Sequence, residues 1–197
     1  MMKKLIFAAV AAMLCFSSSA QALEIFLSTS AVDPNAGTNL NLVEGGPGGS
    51  LFVWVNNDEP TTIEGLSLDI TSDTPGVAGA TAHLINDPGG RWFASTPGVL
   101  GDAPLVDDSN AFNFFGGFPQ GLALHSEVQV DPIAAGVTTV GFATGNSGIA
   151  VGGIPPQTEN FGTGTITVAP VPEPGTMAGL ASIAMVGCGL VARRRRS

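Results

Sequence analysis

Turn-forming residues interrupt the middle of this chain so often that no long helix fits between them. The clusters DPNAGTN, EGGPGGS, NNDEPTT, SDTPG, NDPGG, GGFPQG and VGGIPPQ recur from Asp33 to Gln157. Glycine reaches positive φ, proline fixes φ and removes a donor, and Asn and Asp bond to their own backbone, so such clusters close turns. The segments between them are short and alternating. Leu66, Leu68 and Ile70 alternate with Ser67, Asp69 and Thr71, which turns one strand face to a core and the other to water. Ile166 and Val168 repeat the pattern in TGTITVA, whereas SLFVWVN (Ser50 to Asn56) is apolar on both faces, as a central strand would be. LALHSEVQV from Leu122, VTTVGFAT from Val137 and LEIFLSTS from Leu23 complete the set. Neither an amphipathic helix nor a fixed-period repeat is visible between Leu23 and Pro170. The pattern predicts an all-β jelly roll or Ig-like sandwich of about eight to ten strands, with strand order open.

Charge divides the 197 residues into a body and two ends. Of 7 Lys and Arg, only Arg91 lies within residues 23–170, whereas of 16 Asp and Glu only Glu173 lies outside. One cation against fifteen acids gives the body a formal charge of −14. Such a surface cannot neutralise phosphates, which argues against nucleic acid and anionic lipid as partners. Both cysteines, Cys15 and Cys188, also fall in the end segments, so the body must hold together through its core rather than through disulfides.

Residues 1–22 read as a secretory signal peptide. Lys3 and Lys4 form a basic start, Leu5 to Phe16 an apolar run, and Ala20-Gln21-Ala22 a small-residue cleavage site, so the mature chain is expected to begin at Leu23. A lipid anchor on Cys15 fits less well, because Ala12 and Leu14 occupy the places where a Leu and a small residue are wanted.

At the other end, Pro172 and Pro174 bracket Glu173 and hold an extended segment. Met177 to Ala192 carries no charge. As a helix it would cover about 24 Å, which Gly175, Thr176 and a snorkelling Arg193 extend toward a full span. Arg193, Arg194, Arg195 and Arg196 follow, and the positive-inside preference places them in the cytoplasm with the body outside. Val171-Pro172-Glu173-Pro174, the apolar span and the arginine cluster, in that order, resemble the PEP-CTERM sorting signal. The resemblance implies an exported protein of a Gram-negative bacterium that makes extracellular polysaccharide. It also implies export by the Sec route, a transient inner-membrane precursor, signal peptidase and an exosortase-type sorting enzyme as partners, and delivery to the cell surface or outside it. The expected organisation is a signal peptide (1–22), a β-sandwich (23–170) and a sorting signal (171–197), with a helix at each end. The strand-rich body ending in FGTGTITVAP also resembles the cohesin-like β-sandwiches found ahead of such tails, though no motif there is specific to them.

Chemistry in the body is sparse. Thr81-Ala82-His83 and Gly145-Asn146-Ser147-Gly148, with Asp107 or Asp108 between, follow the order of a serine-protease triad. The body is too short for the two-barrel protease fold, so GNSG reads as a turn containing a serine. His83 and His125 lack metal-ligand spacing and read as ordinary polar residues on strand faces. Asp58-Glu59, Asp107-Asp108 and Asp87 match no spaced calcium loop and read as solvated loop carboxylates. No metal or other cofactor is expected. Trp92 and Phe93, with Phe112, Phe114, Phe115 and Phe118, serve either as core and loop anchors or as a platform for a sugar ring. The favoured function is a non-enzymatic structural or adhesive protein of a polysaccharide matrix. A carbohydrate- or ice-binding module is the second reading and a secreted hydrolase the third.

Overall fold

Each alternating segment forms a strand, because burying one face of it removes a row of Leu, Ile and Val from water. In a computed structural model the described residues are 23–58, 62–87, 90–113, 117–151 and 159–172, and every regular element among them is a strand. In chain order these are β1 (Leu23–Ser28), β2 (Asn39–Val43), β3 (Gly49–Asn57), β4 (Ile63–Ser72), β5 (Ala78–Ile85) and β6 (Ala94–Thr96). They continue as β7 (Val99–Leu100), β8 (Val106–Phe112), β9 (Gly121–Pro132), β10 (Gly136–Val151), β11 (Glu159–Phe161) and β12 (Gly164–Ala169). The signal helix and the C-terminal span lie outside the described residues, within which no helix is long and apolar enough to cross a membrane.

Two sheets form. The first has the order β11-β1-β3-β9-β5, and the second runs β2-β12-β10-β4-β8-β6 with β7 also on β8. Their inner faces supply the core. Leu23, Ile25 and Leu27 of β1, Leu51, Val53 and Val55 of β3, and Val128 and Val130 of β9 come from one side. Leu66, Leu68 and Ile70 of β4, Val140 of β10, and Ile166 and Val168 of β12 come from the other. Each fully buried Leu, Ile or Val contributes about 1.5–3 kcal/mol. β3 is the central strand of its sheet, as its two-sided apolarity requires; Trp54 on its other face is also buried and donates from Nε1 to the Ser30 carbonyl at 3.2 Å.

Most pairings are antiparallel, but the chain closes on itself in parallel. β1 lies beside β11 with Leu23 opposite Glu159, and β2 lies beside β12 with Leu42 opposite Val168. These contacts join the two extremes of the body, the non-local closure of a jelly roll.

Three expectations need correction. Among the described residues the strand count is twelve rather than eight to ten, and β6, β7 and β11 are only two or three residues long, too short to show a period. Gly145 to Gly148 is not a turn between strands. β10 runs through it as a bulge, and the register against β4 shifts between Thr144–Leu68 and Ile149–Leu66, with Gly148 at φ +72°. The histidines do sit on strands, but they are buried core residues rather than ordinary polar residues of a strand face. His83 faces inward on β5, and His125 is the extra residue of a bulge in β9, where Val53 opposes Ser126 and Trp54 opposes Leu124. The bulge turns both His125 and Ser126 inside.

Candidate functional site

Trp92 and Phe93 are adjacent in sequence and part company in space. Trp92 is buried, its amide donating to Asp87 Oδ1 at 2.9 Å. Its ring meets Phe118 edge-on at 5.1 Å and His125 at 6.1 Å, and Phe118 meets His125 at 5.7 Å. The Arg91 guanidinium sits 4.8 Å above the Phe118 ring. Phe118 is delivered by Gly117, whose φ of +112° lets the chain press against Ile63; a Cβ there would stand 1.9 Å from the Ile63 carbonyl oxygen. Ile63 and Phe118 then exchange backbone bonds of 2.8 and 3.2 Å. Trp92 and Phe118 are thus core anchors rather than parts of a platform.

The two histidines extend this aromatic cluster with polar atoms. His83 Nδ1 lies 2.7 Å from the Pro97 carbonyl, which can only accept, so the ring carries its proton on Nδ1. Nε2 of His83, Nδ1 of His125, Nε1 of Trp92 and Oγ of Ser126 are buried without a hydrogen-bond partner. Burial holds the His83 pKa below its ordinary value, against the opposing Pro97 carbonyl. Burial, and then the proximity of His83, push His125 down to about 3. Both rings are neutral at physiological pH, and neither is exposed for catalysis.

Phe93 takes the opposite course. It is 75% exposed, and its ring stands 6.2 Å from that of Phe112. Phe112 borders a groove of about 600 Å³ on the second sheet, lined by Glu64, Gly65, Ser67, Asn110, Ser147 and Ala150 among others, on β4, β8 and β10. Gly65 and Ala150 are opposite each other on β4 and β10, and Phe112 faces Gly65 from β8, so small residues form a floor beside an aromatic wall.

A polar knot adjoins the groove. Asp108 has φ +53°, uncommon for a residue other than glycine, and four hydrogen bonds hold it there. Its amide donates to Asp69 Oδ1 at 2.8 Å, and its Oδ1 accepts from Ser67 Oγ at 3.3 Å and from the Asn146 amide at 3.2 Å. Its carbonyl accepts from Asn110 Nδ2 at 2.9 Å. Hydrogen bonding, led by Asn146 and then Asn110, holds the Asp108 carboxyl below the ordinary range. The Ser147 amide donates to Ser67 Oγ at 3.3 Å, tying the β10 bulge to β4.

The triad-like residues do not assemble. His83 is buried on the inner face of the first sheet with Nδ1 committed to Pro97, while Ser147 is exposed on the outside of the second. Among the described residues no three His, Cys, Asp or Glu side chains gather as a metal site. Phe114, Phe115, Glu59, Ala20, Ala22, Glu173, Pro174 and Arg193 to Arg196 lie outside the described residues, whereas Val171 and Pro172 are exposed just beyond β12. Phe93 and Phe112, grouped from the sequence in one candidate platform, do come together, because β6 lies beside β8.

Comparison with solved structures matches the sandwich as a whole. It overlays on a non-cellulosomal cohesin from the hyperthermophilic archaeon Archaeoglobus fulgidus with a TM-score of 0.51 and 12% identity, covering 80% of this chain and 97% of that one. The fold is cohesin-like. A chain of the CaDoc0917–CaCohA2 complex gives a TM-score of 0.50 at 13% identity, over 75% of this chain and 99% of that chain. No protein-family model matches the chain, and no curated protein does. At these identities the cohesin-like likeness is one of architecture.

Proposed function

We propose that this chain is an exported, surface-displayed module with an adhesive or scaffolding role in an extracellular polysaccharide matrix, and that it performs no catalysis. The observation that carries the reading is a cohesin-like sandwich whose last strand leads directly into the exposed Val171 and Pro172, where the Pro-Glu-Pro tail begins. One of its structural neighbours was solved as a complex with a second component, which supports a recognition role for such a sandwich. The −14 body stays soluble outside the cell and is kept from nucleic acid. In this reading Ala20 and Ala22 direct signal cleavage, and Val171 to Pro174 with Arg193 to Arg196 direct sorting from the inner membrane by an exosortase-type enzyme.

Intact-mass analysis of the protein released from its native host tests this. The expected species begins at Leu23 and lacks the arginine block. Surface-released protein that still carries Arg193 to Arg196 would overturn the sorting role. Changing all four arginines to Lys should preserve membrane retention of the precursor, because dragging each cation through the membrane centre costs about 2.5–3.5 kcal/mol for either residue type. Changing them to Ser should release unprocessed precursor into the periplasm.

A further inference from the structure

We propose that the groove across β8, β4 and β10 binds an uncharged glycan segment, with one sugar ring stacked on the Phe93–Phe112 wall; this rests on the matrix role above and assigns that role a site and a ligand class. A pyranose ring has an apolar C–H face and a rim of hydroxyl donors, and the groove offers a counterpart to each. Phe93, 75% exposed, stands beside Phe112 at the edge of the groove and extends its aromatic face outward. Gly65 and Ala150 leave room over the strands, and the volume of about 600 Å³ is that of a ligand site rather than a surface dimple.

The polar side of the groove is led by a carboxylate. Glu64 contributes a half-buried carboxylate, and Ser147 adds an exposed hydroxyl. The strained Asp108 and its bonds to Ser67 and Asn146 fix the β8 and β10 walls before any ligand arrives, which reduces the ordering cost of binding. Acceptors without a cation select a donor-rich ligand. Arg91, the one cation of the body, is engaged over Phe118, so a glycan carrying carboxylates or sulfates would meet only like charge.

Calorimetric titration of the full-length chain, held in an amine-oxide detergent that carries no sugar, tests the site. Cellohexaose and mannohexaose are the neutral probes, and hexagalacturonate is the anionic one. At least one neutral probe should bind with Kd on the order of 0.1–1 mM, and the anion should not. Phe93→Ala should weaken binding about fivefold to tenfold and Glu64→Gln about fivefold, while Thr81→Ala, on the outside of the other sheet, should leave it unchanged. Phe93 is mostly exposed, so its variant is expected to fold, and Glu64→Gln reads the same site without touching an aromatic ring. No response to either neutral probe, equal binding of hexagalacturonate, a response only to a Lys-rich peptide, or neutral binding indifferent to both variants would each overturn the proposal. A chain displayed and processed as above that ignores both neutral probes removes the site and leaves the display role. A chain that binds them yet keeps its arginine block does the reverse.

Discussion

Two polar clusters in this sandwich hold ionisable groups with lowered pKa values for opposite reasons. Around His125 the cause is deprivation: the ring is shut between the sheets with Trp92 and Phe118, and its Nδ1 has no partner. Around Asp73 the cause is provision. Its Oδ1 accepts from the Thr139 amide at 2.8 Å, Thr74 Oγ1 at 2.9 Å and Thr138 Oγ1 at 3.0 Å, and its pKa falls to about 2, the Thr139 amide contributing most. Thr138, having donated to Asp73, accepts from Ser72 Oγ and from the Thr74 amide. A buried base is kept neutral and an exposed acid is kept charged. The same direction of shift thus marks a cost in one place and a stabilising network in the other.

Removing the ring that closes the first cluster should have the largest effect. Phe118→Ala should cost about 3–5 kcal/mol in urea denaturation, because Trp92, His125 and Arg91 all lose their shared partner. A loss under 1 kcal/mol would show that the cluster is loosely packed and end the contrast. Acid is the next lever. His125 is neutral when folded and takes up a proton when unfolded, so its contribution is complete above pH 6.5 and is lost as pH falls toward about 3. Stability should decline across that window by a few kcal/mol. His125→Phe should flatten the decline, and an unchanged acid limb in this variant would mean that the histidine is not responsible.

Asp73 should act lower on the pH scale. Its folded pKa is depressed, so its stabilisation is present above 3.8 and fades as pH drops toward about 2. Asp73→Asn should lower the melting temperature modestly at pH 7 and hardly at all at pH 2. A loss that is the same at both pH values would assign the effect to packing. The smallest change is expected from Phe93→Ala, within about 0.5 kcal/mol of the parent in the same denaturation, since that ring lies outside both clusters. A larger loss would make Phe93 a structural residue.

What could be read in advance followed the side chains that obey a period. Leu66, Leu68 and Ile70 announced β4, and the two-sided SLFVWVN announced the central β3. β5 and β8 were silent because, apart from Val106, their buried positions hold Ala78, His83, Ser109 and Ala111, small or polar residues that carry no alternating signal. GNSG has turn chemistry, yet it bulges within β10 instead of ending it, since Ser67 and Asp108 on β4 and β8 bond to its backbone. The groove and the histidine cluster were hidden for a further reason. Phe93 meets Phe112 only through the pairing of β6 with β8, and Trp92 meets His125 only through the packing of one sheet on the other. Single residue types gave the candidates; register decided which of Trp92 and Phe93 went inside.

The place of β12 has a mechanical consequence. It is clamped along its length by β10 on one side and by β2 on the other, and bonds from the Glu44 amide to Ala169 and from the Thr165 amide to Thr38 extend the ladder to both ends. In a chain tethered beyond Pro172 and pulled through the outside of β4 and β8, traction enters along the axis of β12. Its hydrogen bonds lie across that axis and share the load together, in shear, instead of opening one after another like a zip. In a chain so tethered, β12, which ends nearest Pro172, is the strand that would bear the tension.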